Sequence, residues 1–146
     1  MPDVTGRRCN ECSLCCRLLE VDDDQLDKPG GVWCPHARPG KGCAIYSHRP
    51  RPCRVWSCQW LVDDSLGDMW YPLRAGIVVD FTYRGDRRIL RFIVDPQCPD
   101  RWREEPYRSA IRRAVATGMR SDPKFLTVIS VGGLWLDPAD GKPLAR

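Results

Sequence analysis

Four thiols fall within eight residues near the start of the chain, Cys9-Asn10-Glu11-Cys12-Ser13-Leu14-Cys15-Cys16, spaced CxxCxxCC. No other stretch limits so strongly what this chain can fold into. The residues ahead of it, Met1 to Arg8, lack the apolar run of a secretion signal, so a cytoplasmic location is expected. In that setting thiols stay reduced, and thiols this dense point to metal ligation, because thiolates bind soft and borderline metals. An apolar helix stripe that happens to use cysteine is the plainer alternative, and four in eight residues argue against it.

Cys34, Cys43, Cys53 and Cys58 follow before residue 60, and Cys98 stands alone. Nine is an odd number, which disfavours a complete disulfide framework. Residues 32–58 are punctuated by Cys34-Pro35-His36, Gly40-Lys41-Gly42-Cys43 and Arg49-Pro50-Arg51-Pro52-Cys53. Such a segment has few aliphatic residues to bury and cannot run as one long helix or strand. A metal centre supplies the missing constraint, since binding free energy in thiolate-rich modules is folding free energy.

Two chemistries fit the eight early cysteines. Zinc takes four thiolates at about 2.3 Å in a closed structural site, so two such sites use all eight. Alternatively Cys9, Cys12 and Cys15 hold one side of an iron-sulfur cluster, with Cys34 of Cys34-Pro35 as the remote fourth ligand of a ferredoxin-like pattern. The division of the adjacent Cys15 and Cys16 between centres is left open.

CxxCxxCC followed by Cys34-Pro35-His36, Gly42-Cys43-Ala44-Ile45-Tyr46, Arg49-Pro50, Cys53-Arg54 and Cys58 resembles the bacterial family of CxxCxxCC zinc- or iron-chelating domains. The similarity covers roughly residues 9–60. It implies chelation through Cys9, Cys12, Cys15, Cys16, Cys34, Cys43, Cys53 and Cys58 without implying a reaction. A related cysteine-rich region occurs in flagellin lysine N-methylases. This chain has no glycine-rich turn after a strand to cradle a nucleotide-like cofactor, so methyl transfer is not expected.

Around the ligands, Arg49, Arg51 and Arg54 are expected to offset thiolate charge and lower thiol pKa values, with an anion pocket as the alternative. Arg49, Arg54 and Tyr46 are the candidate cofactor-binding neighbours. His36 and His48 are expected as hydrogen-bonding neighbours rather than ligands, and Tyr46, Trp33, Trp56 and Trp60 as a shield against water. Cys98 lies outside the resemblance and is read as a buried or surface thiol.

Net charge is +4, from 19 arginines and 4 lysines against 19 acidic residues. Eight thiolates with two Zn²⁺ carry a formal −4, which brings the loaded chain near zero and removes most of the case for a nucleic-acid partner. No aliphatic run is long enough to cross a bilayer.

The expected fold is α+β: a cysteine-rich, metal-stabilised lobe at 9–60, then a small sheet of two hairpins with one packed helix at 72–146, together forming one compact domain over 1–146. In the lobe, a short helix is drawn over residues 9–19 and a solvated acidic loop over 20–31. Ile77 to Tyr83 and Arg88 to Val94 read as one hairpin, Phe125 to Val131 and Leu134 to Leu136 as a second across Gly132-Gly133. Asp100 to Thr117 reads as the helix, with Gly118 as its cap and Arg108, Arg112 and Arg113 on a solvated face. The leading function is a cytoplasmic metal-binding protein with a metal ion as partner and a docking surface for another protein. The alternatives are a metal-dependent or redox enzyme with an open metal position or reactive cysteine, and a zinc-dependent nucleic-acid or protein adaptor.

Overall fold

Helices and strands in the first part of the chain are short because proline, glycine and cysteine interrupt every run. The computed structural model describes residues 6–9 and 11–145, and the chain divides into two units, Met1–Ala75 and Gly76–Arg146. In the first unit, α1 spans only Leu14–Leu18. Cys9 and Cys12 stand outside it in a turn closed by the Cys12 N–H on the Cys9 carbonyl at 2.8 Å. The expected helix over 9–19 is thus reduced to the single turn that carries Cys15 and Cys16, and it ends where Leu19 becomes extended.

The stretch 20–31 is a hairpin and not a loop. Strand β1 (Val21–Asp23) pairs antiparallel with β2 (Leu26–Lys28), and the Asp23 carboxylate accepts the Gln25 N–H at 2.9 Å across the turn. The alternation Leu26 in, Asp27 out, Lys28 in follows the strand period of two, and a lysine occupies an inward position. A second two-stranded ladder joins β3 (Ala37–Arg38) to β4 (Gly42–Cys43). Helix α2 (Arg51–Val55) carries Pro52 in its first turn, where no intrahelical N–H is needed, and α3 (Gln59–Val62) and α4 (Pro72–Ala75) follow.

Helices of four or five residues do not hold themselves in water. Among the described residues the buried apolar ones of this unit are Cys12, Leu26, Cys34, Cys58, Trp60, Trp70, Pro72 and Ala75, so three of these eight core side chains are thiols. Long-range polar ties do part of the remaining work. The Arg7 guanidinium donates to the carbonyls of Trp60 at 2.6 Å and Leu66 at 2.8 Å while lying over the Trp60 ring. The Tyr71 hydroxyl donates to the Cys9 carbonyl at 2.9 Å.

The second unit is built from β-branched and aromatic runs. Strands β5 (Ile77–Arg84) and β6 (Arg87–Val94) pair along their whole length around Gly85, whose φ of +60° suits a tight hairpin turn. Strand β7 (Leu126–Val131) runs parallel to β6, and β8 (Leu134–Leu136) returns antiparallel through Gly132 and Gly133, both at positive φ. The order β5-β6-β7-β8 makes a mixed sheet. A parallel step needs a long crossover, and helix α5 (Tyr107–Ser121) supplies it while packing on β7. Ile77, Val78, Val128 and Ile129 are fully buried, and Ile89, Val128 and Trp135 form a cluster joined by Leu126 and Leu144.

Pro106 moves the start of α5 from the expected Asp100 to Tyr107. A residue before proline is driven out of the helical region, so Glu105 does not carry a helix into Pro106, and the one-turn 3-10 helix at Arg101–Arg103 has already ended at an extended Glu104. The same rule ends α5 at Asp122, which precedes Pro123. Gly118 lies inside the helix and is not its cap. A Cβ there would fall within the ring of Phe125, which is also held edge-on by Phe81 at 6.2 Å. Alanine gains about 1 kcal/mol of helix propensity over glycine, but overpacking costs about 1–3 kcal/mol. Gly118→Ala is therefore expected to lower the urea midpoint; a raised midpoint would show that the ring gives way without strain.

Asp80 and Arg91 stand directly opposite each other on β5 and β6. Arg91 donates through Nε to Oδ1 at 2.8 Å and through its terminal nitrogen to Oδ2 at 2.5 Å, with the Asp80 side chain 1% exposed.

Candidate metal centre

Cys9, Cys12, Cys15 and Cys58 line one cavity of about 20 Å³ whose other walls are Trp56, Trp60, Leu61, Tyr71 and Pro72. The turn at Cys9 to Cys12, the first residues of α1 and the residue ahead of α3 thus bring four sulfurs to one apolar recess. Burial there disfavours the thiolate. The Cys9 thiol is pushed from its ordinary 9.0 to about 12, first by loss of water and then by the charges of Cys58 and Cys12. Cys12 is raised by burial as well.

The other four form a second neighbourhood. The Cys34 N–H donates to the Cys16 carbonyl at 2.9 Å, and the β3–β4 ladder sets Cys43 opposite Ala37, three residues after Cys34. Cys53 is carried by α2, whose Arg51 N–H donates to the Gln25 side chain at 2.6 Å and so ties that helix to the β1–β2 turn. Burial raises both Cys43 and Cys53, and the charges of Cys16 and Cys34 raise each of them further.

Cys15 and Cys16 are where the two neighbourhoods meet. The Cys15 thiol is hydrogen-bonded to the Cys16 sulfur, which holds Cys15 well above its ordinary range and brings Cys16 down to about 7. Beyond that shared bond, Cys15 feels the charges of Cys9 and Cys12, and the charge of Cys16 reaches Cys9 and Cys12 as well as Lys28 and the thiols of Cys43 and Cys53.

Backbone amides are aimed at several of these sulfurs. The N–H two residues on faces the sulfur at three cysteines: Leu14 for Cys12, His36 for Cys34 at 3.4 Å, and Ile45 for Cys43. Leu73 adds a second amide on Cys12. Amide donors favour the charged form of a thiol, and hydrogen bonds to sulfur tune thiolate metal centres. Among the described residues, no group of three or more His, Cys, Asp or Glu side chains stands in a metal-holding arrangement. The two sets are neighbourhoods of donors of the right chemistry, not finished coordination shells. No two cysteines are joined in a disulfide.

Of the arginines singled out by sequence, Arg49 is in place: its charge favours the thiolate at Cys9, Cys16, Cys43 and Cys53, and it lies over the Tyr46 ring at 4.2 Å. Its Nε donates to the Tyr46 carbonyl at 3.1 Å, which fixes the side chain. Arg54 is exposed on α2. His48 is exposed with Nδ1 on the Ser47 hydroxyl at 2.9 Å, and His36 serves through its backbone. Trp56 and Trp60 wall the first cavity, but Trp33 is 39% exposed beneath Arg17 and shields nothing there. Cys98 belongs to the second unit, where its sulfur sits 2.7 Å from the point a Cβ on Gly76 would take.

Lys28 went unnoticed in the sequence because it was read as part of a loop. It is 3% exposed, donates to the carbonyls of Leu19 and of Pro29, and lies within reach of the charges of Cys34, Cys16, Cys15 and Cys53. The inward alternation from Leu26 was the available signal.

These shifts set how the metal-free protein responds to pH. Groups raised in the folded state, Cys9 to about 12 and Cys12, Cys15, Cys43 and Cys53 in the same direction, stabilise fully below the unfolded thiol value of 9.0 and lose that contribution as pH rises through their folded values. Cys16, lowered to about 7, stabilises above 9.0 and loses its contribution as pH falls through 7. Five raised groups outweigh one lowered group. The first unit is expected to unfold without metal, so the reduced, metal-free chain is expected to show no urea transition of this unit that weakens from pH 8 to pH 10; such a transition would show that the unit folds without metal.

No family model, curated protein or solved structure matches the chain. Among the described residues, no helix is long and apolar enough to cross a membrane.

Proposed function

We propose that this chain is a cytoplasmic metal-binding protein whose first unit holds two metal ions, each through four cysteines. Cys9, Cys12, Cys15 and Cys58 would hold one, and Cys16, Cys34, Cys43 and Cys53 the other. The observation that carries the reading is the apolar recess lined by the first four cysteines, in a unit whose described helices have five residues at most. That recess, about 20 Å³, has room for one water-sized guest, which supports a single Zn²⁺ there over an iron-sulfur cluster. A bound ion would supply the folding free energy that helices of four or five residues lack.

The chain's own residues prepare both sets. The amides of Leu14, Leu73 and Ile45 favour thiolates at Cys12 and Cys43, and the His36 N–H donates to the Cys34 sulfur. Arg49 and the buried Lys28 offset negative charge, Arg49 toward members of both sets and Lys28 mainly toward the second. Trp56 and Trp60 exclude water from the first. The resemblance to the CxxCxxCC chelating domains points the same way.

Anaerobic purification followed by metal analysis and a visible spectrum tests the reading. Two equivalents of zinc in a colourless protein are expected. Brown protein with iron and sulfide would replace zinc by the cluster, and a folded first unit without metal would overturn chelation altogether. The rival, an enzyme with a reactive cysteine, draws support from the lowered Cys16 thiol. It requires rapid alkylation of Cys16 in the loaded protein, whereas a ligated Cys16 resists alkylation.

A further inference from the structure

The second unit contains a cavity of about 250 Å³ lined by Arg103, Arg108 and Arg112 together with Trp102, Ile111 and Pro138. Arg108 and Arg112 lie one turn apart on α5, and the chain ahead of the helix contributes Trp102 and Arg103. Three arginines line one space, and no lining residue carries a carboxylate.

The nearby acids are engaged elsewhere. Glu104 pairs with Arg101 at 3.6 Å, Glu105 accepts the Ser109 hydroxyl at 2.8 Å, and Asp140 accepts the Lys142 N–H at 2.9 Å. Among the described residues Asp100 is the acid that pairs with a lining arginine, Arg103, at 3.4 Å, and that arginine is also stacked on Trp102 at 4.2 Å. Asp100 offsets one of the three charges in the lining, whose own residues keep a positive balance. The fixed charge of the cavity is therefore positive, while Trp102 and Ile111, 5% and 2% exposed, give it an apolar wall.

We propose that this cavity binds a small phosphomonoester with a flat apolar body. A phosphoryl group close to a dianion matches the positive balance of the lining, and arginine forks suit its three terminal oxygens. The wall of Trp102, Ile111 and Pro138 receives the organic part, and a volume near the lower limit for ligand sites admits about one ring beside the phosphoryl group. The solvated face read from the sequence at Arg108, Arg112 and Arg113 is in this way divided: Arg108 and Arg112 line the cavity, and Arg113 does not.

Titration of the full-length protein with phenyl phosphate, inorganic phosphate and benzoate, followed by tryptophan fluorescence and calorimetry, tests this. Phenyl phosphate is expected to bind about tenfold or more tightly than either of the others, because each lacks one of the two recognised parts. Arg108→Gln and Arg112→Gln are each expected to weaken it by about tenfold, the loss of a charge-assisted hydrogen bond. Arg113→Gln, the same charge change on the same helix, is expected to leave binding unaltered. All three side chains are exposed, and unchanged melting curves confirm that each variant folds. Equal weakening by Arg113→Gln, equal affinity for inorganic phosphate, or no phenyl phosphate binding at millimolar concentration would each overturn the site.

Discussion

Stripping metal from the loaded protein with a strong chelator is expected to unfold residues 9–60 while the sheet of the second unit persists. The free energy at stake is large: structural zinc contributes about 10–16 kcal/mol to small thiolate modules near neutral pH. The first unit has little to set against that loss. Its longest described helices have five residues, and three of the eight buried apolar side chains among the described residues are cysteines whose packing serves the centre itself. The second unit carries its own core of Ile77, Val78, Ile89, Val128 and Ile129. Hydrogen exchange read residue by residue after chelation is the measurement. Loss of protection at Cys12, Cys34 and Cys53 with retention along β5 and β6 is expected, and simultaneous loss in both would show that the two share one cooperative core.

Arg91→Leu is expected to destabilise the second unit by about 3–5 kcal/mol, since it takes from the buried Asp80 carboxylate the guanidinium that holds both its oxygens. The pair sits at a central register position, with both carboxylate oxygens taken by one guanidinium. Removing both charges is a different matter, because a buried ion pair gains little over apolar residues of similar volume. The double variant Asp80→Leu/Arg91→Leu is expected to recover most of the loss in urea unfolding. A single variant that loses less than about 1 kcal/mol, the range of an exposed pair, would contradict this reading.

The two halves of the chain differ in how openly their sequences speak. The sheet was readable because β-branched runs declare strands and Gly85 and Gly132-Gly133 declare tight turns; the observed strands differ from expectation by one residue at an end. The parallel step between β6 and β7 was not readable, since pairing direction depends on a crossover and not on any local pattern. Pro106 and Pro123 set the ends of α5, and the rule for residues before proline, applied at both, locates them. Gly118 was misread as a cap because a glycine required by a neighbouring ring looks the same in sequence as one required by a left-handed turn.

In the cysteine-rich unit, spacing identified the donors but not how they group. Cys58 joins Cys9, Cys12 and Cys15 through a fold contact across more than forty residues, which no local spacing encodes. Lys28 and Arg7 were invisible for a similar reason. Their roles arise from burial and from distant carbonyls, whereas arginines flanking the cysteines could be noticed by adjacency alone.

The division at Cys15 and Cys16 is the point on which the account rests, and metal counting on the two serine variants tests it most directly. Wild-type protein is expected to hold two equivalents. Cys15→Ser is expected to lose one and to expose Cys9, Cys12 and Cys58 to alkylation, and Cys16→Ser to lose one and to expose Cys34, Cys43 and Cys53 instead. If either variant keeps both equivalents, or if both variants expose the same cysteines, the two-centre assignment is wrong.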